Sequence, residues 1–195
     1  MKKTLSSVML TMVLCLTSIS TIATTIFEVN FGQANIDRPS QNSTKVNGAT
    51  LKLGWISNSG LGFELSHAEF KDTENRNSIE YLDGKLNSNT KYEFKTTTLD
   101  LVKEFDLAKS FSLVTKIGVS KISSSSDYRE NYLIPPDSNN LITHVSYNNY
   151  TDKAAHAYIG VDYGIGYSSV TLGADFYKSG NINALVPNIG VRIRF

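Results

Sequence analysis

Pro187-Asn188-Ile189-Gly190-Val191-Arg192-Ile193-Arg194-Phe195 closes the chain. Val191, Ile193 and Phe195 alternate with Gly190, Arg192 and Arg194, which is the period of a β-strand with one apolar and one polar face. A soluble strand of this kind turns its apolar side to a core and its arginines to water. A strand in a membrane barrel is inverted, with lipid outside and polar packing within. The rest of the chain decides between the two.

Working backwards, the same alternation recurs. Val170, Leu172, Ala174 and Phe176 oppose Thr171, Gly173 and Asp175; Ala155, Ala157, Ile159 and Val161 oppose His156, Tyr158, Gly160 and Asp162. Phe111 to Val119, Leu61 to Ser66, Ala49 to Trp55 and Phe27 to Phe31 repeat the pattern. The strand near Lys95 to Phe105 is out of step. Phe94 and Val102 share a face with Asp100, while Lys103 shares one with Leu99 and Leu101, so a bulge or phase error is expected there. This makes eight strands. Tight turns are expected at Asn58-Ser59-Gly60, near Ala108 and at Gly164-Ile165-Gly166. Longer connections fall around Ser43, Tyr81, Pro136 and Gly180. Short and long connections therefore alternate, as they do in an outer-membrane barrel with short periplasmic turns and longer outer loops.

The chain has 195 residues, enough for one domain. Lys2 and Lys3, the apolar run Val8 to Leu16 and Thr21-Ile22-Ala23 read as a cleaved secretory signal, residues 1–23, leaving 24–195 as the barrel domain. Leu14 before Cys15 departs from a lipoprotein signal. The exported part then has no cysteine, hence no disulfide and no thiolate metal site. Without Lys2 and Lys3, 17 of the 19 basic residues face 18 acids, a balance that points away from nucleic acid. Mean hydropathy of −0.18 is what alternating apolar and polar positions produce.

Two residue sets support the inverted arrangement. Trp55, Phe105, Phe111, Tyr163, Tyr167 and Phe195 lie beside the short turns or the terminus and would form a belt at one interface. The polar faces carry Glu28, Glu64, Asp100, Asp162 and Asp175 against Lys52, Lys116, Arg192 and Arg194. A nearly neutral set suits a closed interior, where an unpaired charge costs several kcal/mol. Arg192 and Arg194 are expected to point inward and to pair with some of Asp175, Asp162 and Glu28. Gly54, Gly62, Gly118, Gly160, Gly173 and Gly190 on the same faces leave room for these long side chains.

With its export signal, eight alternating strands, inner-face glycines and the ending Gly190-Val191-Arg192-Ile193-Arg194-Phe195, the sequence resembles the small outer-membrane β-barrels of the OmpA transmembrane domain, OmpX/Ail and opacity-protein type. The resemblance implies an all-β, eight-stranded antiparallel up-and-down transmembrane barrel in a Gram-negative outer membrane. It also implies that Val191, Ile193 and Phe195 resemble the signal read by the outer-membrane insertion machinery. The periplasmic peptidoglycan-binding domain of OmpA is absent from the sequence. Expected partners are outer-membrane lipid, the insertion machinery and host-cell or matrix proteins.

The chemistry of the remaining residues points away from catalysis. A barrel of eight strands is about wide enough to be filled by side chains, so general diffusion is disfavoured, and a narrow or transient channel is the alternative reading. A lipid A-modifying enzyme is the third reading. His144-Val145-Ser146 resembles the His-x-Ser pair of outer-membrane lipid A deacylases, but it lies in a long polar segment and its surroundings do not match. His67 and His156 are expected at the interior or rim, and three scattered histidines do not make a metal site. No cofactor is expected. Tyr128, Tyr132, Tyr147 and Tyr150 flank Pro135-Pro136 and are the candidate surface-binding residues, in segments that read as strands continuing above the membrane. The leading expectation is a non-enzymatic protein of cell-surface interaction or envelope integrity.

Overall fold

The computed structural model describes residues 23–38, 43–81, 84–133 and 141–195, with side chains described outside 75–87 and 132–142. The segment read as an export signal, with Cys15, and Pro135-Pro136 lie outside the described residues. Eight strands are present: β1 (Ala23–Asp37), β2 (Thr44–Ser57), β3 (Leu61–Tyr81), β4 (Gly84–Ala108), β5 (Phe111–Leu133), β6 (Leu141–Ile165), β7 (Ser168–Lys178) and β8 (Asn183–Arg194). Each pairs antiparallel with the next, and β8 closes on β1. The result is an up-and-down transmembrane-type barrel. Closure leaves no open edge at bilayer depth, which is what a spanning sheet needs where water cannot satisfy its backbone.

Alternation sets which residues face where. Leu65, Leu99, Val119, Leu172 and Ile189 stand exposed on the outer wall, while Glu28, Lys52, Lys116 and Arg192 are buried inside it. At the end with the short turns, Trp55, Phe105, Phe111, Tyr163, Tyr167 and Phe195 come to one level, and the Phe111 and Tyr163 rings lie 4.9 Å apart. Gly60 and Gly166 adopt positive φ in two of those turns, a conformation that β-carbons disfavour.

The expected bulge in the fourth strand is not found. From Tyr92 to Asp106 β4 keeps one register with β5, and from Tyr92 to Lys103 it keeps one register with β3. The irregularities fall higher, between Arg76 and Ile79, and in the turn, between Asp106 and Ala108. Phe94 and Val102 face inward together with Asp100, as the unbroken alternation requires. They are there because the lumen is not polar throughout: apolar side chains gather above the charged residues and stand among them at the lower end. Lys103 stays on the outer side near the lower rim and donates to the Ser59 carbonyl at 2.5 Å.

The strands are unequal. β3 to β6 run for 21 to 25 residues, whereas β7 and β8 have 11 and 12. Nine to fourteen additional residues at about 3.3 Å each make the strands of the taller side roughly 30–45 Å longer along their own axes. The polar segments Lys71 to Lys91 and Ser123 to Lys153 are therefore mostly paired strand, forming a four-stranded sheet above the membrane.

At the closing seam β1 pairs with β8 from Ile26–Arg194 to Gly32–Asn188 and resumes at Asn35–Leu185. The gap falls at Pro187, which has no N–H to contribute. Phe195, 76% exposed, donates its backbone N–H to the Thr25 carbonyl at 3.0 Å. One exposed ring and one such bond contribute little to stability. Deleting Phe195 is therefore expected to impair assembly in cells more than refolding in detergent, measured by the boiled-versus-unboiled gel shift. Equal losses in both settings would make it an ordinary packing residue.

Candidate functional site: a filled lumen beneath an outer cup

The charged residues of the polar faces meet in one buried layer. Arg192 is at its centre, on β8 directly across from Glu28 on β1. Its Nε and Nη2 donate to Glu28 Oε2 at 2.8 and 2.5 Å, and its Nη1 bonds Asp162. Below it Arg194, partly exposed at the rim, donates to Glu104 at 2.5 Å and lies 3.6 Å from Asp162. Lys116 reaches across to Glu64 at 2.6 and 2.8 Å. Lys52 lies 3.4 Å from Glu28 and 3.5 Å from Asp175. With Asp100, which joins through a histidine, all the charges expected inside lie in this network or at its rim.

Two members lay outside the expected charge set. Glu104 sits on β4, whose phase was in doubt. His156 stands between Asp100 and Asp175, with Nδ1 and Nε2 at 2.7 and 3.1 Å from their oxygens. Both ring nitrogens face carboxylates, an arrangement that the doubly protonated ring satisfies as donor on each side. Glu104 adds an acid to the layer, and His156, expected at the interior or rim but given no partner, offsets it when doubly protonated.

Small residues make the room. A β-carbon on Gly160 or Gly173 would fall 2.1 or 2.4 Å from the Tyr158 phenol oxygen, so these two glycines seat the ring. The Lys52 and Lys116 ammonium groups lie 4.4 and 4.5 Å from its centroid. Asn30 donates to Glu28 at 2.6 Å and accepts from Thr171 at 3.0 Å.

Apolar side chains pack against this layer. At the lower end Ile26, Ile56, Val102 and Val114 stand among the charged residues, with Ile26 across from Arg194 and Val114 across from Glu104. Above, Phe70, Phe94, Ile122, Ile36, Val46 and Tyr177 form a thicker plug, with Phe94 against Phe70 and Tyr177 at about 6 Å. Over the plug lies Arg38, bonded to Ser124 and near Tyr92 and Tyr150. There the wall opens into a polar cup of about 770 Å³.

The structure separates the four candidate tyrosines. Tyr128 lines the cup, whereas Tyr147 projects from the outer side of the sheet and is 65% exposed. Tyr150 stands across from Ser124, and the side chain of Tyr132 lies outside those described. His144 and Ser146 are successive same-side residues on β6 above the barrel, with His144 across from Glu130. His67 is on the outer wall, hydrogen-bonded to Thr97 at 3.0 Å. Just above the apolar band Glu69, Lys71, Glu93 and Lys95 interlock at 2.6 to 3.3 Å. Hydrogen bonds from Lys71 to Glu69 and from Lys95 to Glu93 hold these carboxyls below their ordinary range. Among the described residues no cluster of three His, Cys, Asp or Glu side chains could hold a metal ion.

No protein-family model and no curated protein sequence matches the chain. Solved structures do. The chain is similar to Ail, the attachment invasion locus protein of Yersinia pestis, solved in complex with the heparin analogue sucrose octasulfate: 13% identity, 90% of this chain and 100% of that one covered, TM-score 0.60. It is similar to Neisserial surface protein A at 14% identity, with 88% and 97% covered and TM-score 0.58. A major outer membrane protein from Thermus thermophilus matches at 15% identity, with 89% and 99% covered and TM-score 0.53. The fold is that of the small outer-membrane β-barrels.

Proposed function

We propose that this chain is an integral outer-membrane protein of cell-surface interaction, without a catalytic step, whose work is done by the sheet above the membrane. The observation that carries this reading is the four-stranded projection of β3 to β6, which extends far beyond what spanning requires. On its outer side Val145 and Tyr147 stand 56% and 65% exposed. Large, rigid aromatic surface of this kind is enriched where proteins bind one another. Host-cell or matrix components are the proposed external partners, outer-membrane lipid surrounds the wall, and the insertion machinery reads the C-terminal strand. The heparin analogue held by the similar barrel Ail supports an outward-facing binding role.

A narrow channel is disfavoured by the filling of the lumen, since an ion would have to pass an apolar plug and a layer of paired charges. Folded protein in planar bilayers is expected to give no stable conductance. Replacing Tyr128 to Tyr150 with a short Gly-Ser turn removes only strand above the apolar band, so the barrel should still insert and shift on heating. The same change should abolish adhesion of expressing cells to matrix-coated surfaces. Retained adhesion in an inserted variant would clear this hairpin and turn attention to Lys71 to Lys91. A steady conductance would replace this reading with the channel.

A further inference from the structure

The cup above the plug is a built cavity, and its chemistry is specific. Asp72 and Glu74 of β3, Thr90 and Tyr92 of β4, and Ser126 and Tyr128 of β5 line it. They have the same strand parity as the buried Phe70, Phe94 and Ile122 beneath them, so the alternation of the barrel aims them inward. Tyr92 packs against the plug at the floor, beside the Arg38 guanidinium. At about 770 Å³ the cup falls within the range of roughly 300–1,000 Å³ common for small-molecule sites.

The lining narrows the ligand class. Two phenol rings offer flat apolar faces, and hydroxyls, two carboxylates and the Lys45 ammonium offer both acceptors and donors. A pyranose presents the matching surfaces: one face of C–H groups that stacks on an aromatic ring, and a rim of hydroxyls that donate to carboxylates and accept from lysine. A lipid chain would find too little apolar surface. A polyanion would meet a wall in which Asp72 and Glu74 outnumber Lys45.

We infer that the cup binds a neutral saccharide, the end of a glycan chain presented from outside the cell. This deepens the surface-interaction reading and rests on it. Stacking would come from Tyr92 and Tyr128, and hydroxyl recognition from Asp72 and Glu74.

The test titrates protein purified folded in detergent with maltotriose, chitotriose and lactose, and with a heparin hexasaccharide as the anionic counterpart, by saturation-transfer NMR and calorimetry. At least one neutral sugar is expected to bind saturably, at a millimolar Kd or tighter. Tyr128→Ala and Asp72→Ala should each weaken it tenfold or more, and His67→Ala, on the outer wall, should leave it unchanged. Thr90→Trp fills the cup without removing a binding group and should abolish uptake; only variants that keep the heat-dependent gel shift are titrated. Binding of the heparin hexasaccharide alone, no neutral binding, or equal loss with His67→Ala would overturn the inference. Adhesion to matrix in the absence of sugar binding would sink this inference and leave the surface reading standing. Loss of both would remove the surface reading as well.

Discussion

Replacing Arg192 with Leu is expected to destabilise the barrel by about 3–5 kcal/mol, because breaking a buried ion pair leaves its partners charged and uncompensated. Arg192 is fully buried and binds two carboxylates on different strands, Glu28 on β1 and Asp162 on β6. Glu28 would keep Lys52 at 3.4 Å and Lys116 at 3.8 Å, so Asp162 suffers more: its remaining cation is Arg194 at 3.6 Å. A leucine cannot satisfy either acid, and Glu28 is fully buried. Arg192→Lys should fall between, since one ammonium keeps the charge but cannot span both partners as the planar guanidinium does. Arg194→Leu should cost less, because that side chain is 35% exposed and solvent screens the loss. Urea unfolding followed by the gel shift measures all three. An Arg192→Leu barrel as stable as the parent would mean that the interior charges neutralise or rehydrate freely.

Gly190→Val should be the other severe change, at about 3 kcal/mol or more. A β-carbon there would lie 1.8 Å from the Asn30 side-chain oxygen and 2.3 Å from the Val29 carbonyl. Backbone cannot withdraw from a closing seam without unpairing, so Asn30 has to leave. Its departure breaks bonds to Glu28 and Thr171 and unseats the carboxylate that Arg192 binds. Gly180→Val is the control, since nothing lies within 4 Å of a β-carbon at that position. If both variants refold with the same midpoint, inner-face glycines are not providing room.

These two sites mark where local reading sufficed. That Arg192 points inward follows from parity alone, because a strand places every second side chain on one side and Ile189, Val191 and Ile193 claim the other. That Gly190 makes room for a neighbour is also legible, since a glycine on a polar face has no packing of its own. The count of strands, the alternation of turns and the aromatic level near the short turns are local patterns of the same kind. Strand four shows the limit. Phe94 and Val102 looked out of phase because the inner face was taken to be polar throughout, whereas apolar side chains fill much of the lumen.

From the sequence by itself come the barrel, its inside-out sense and the membership of most of its buried charge layer, because these depend on period-two alternation within single strands. Only the tertiary structure decided which acid meets which base, why His156 stands between Asp100 and Asp175, and how Tyr92, Tyr128, Asp72 and Glu74 come to share one cup. Those contacts join different strands, many of them not neighbours. Their distances are set by the relative stagger and unequal heights of eight strands, quantities that appear only once the sheet has closed on itself.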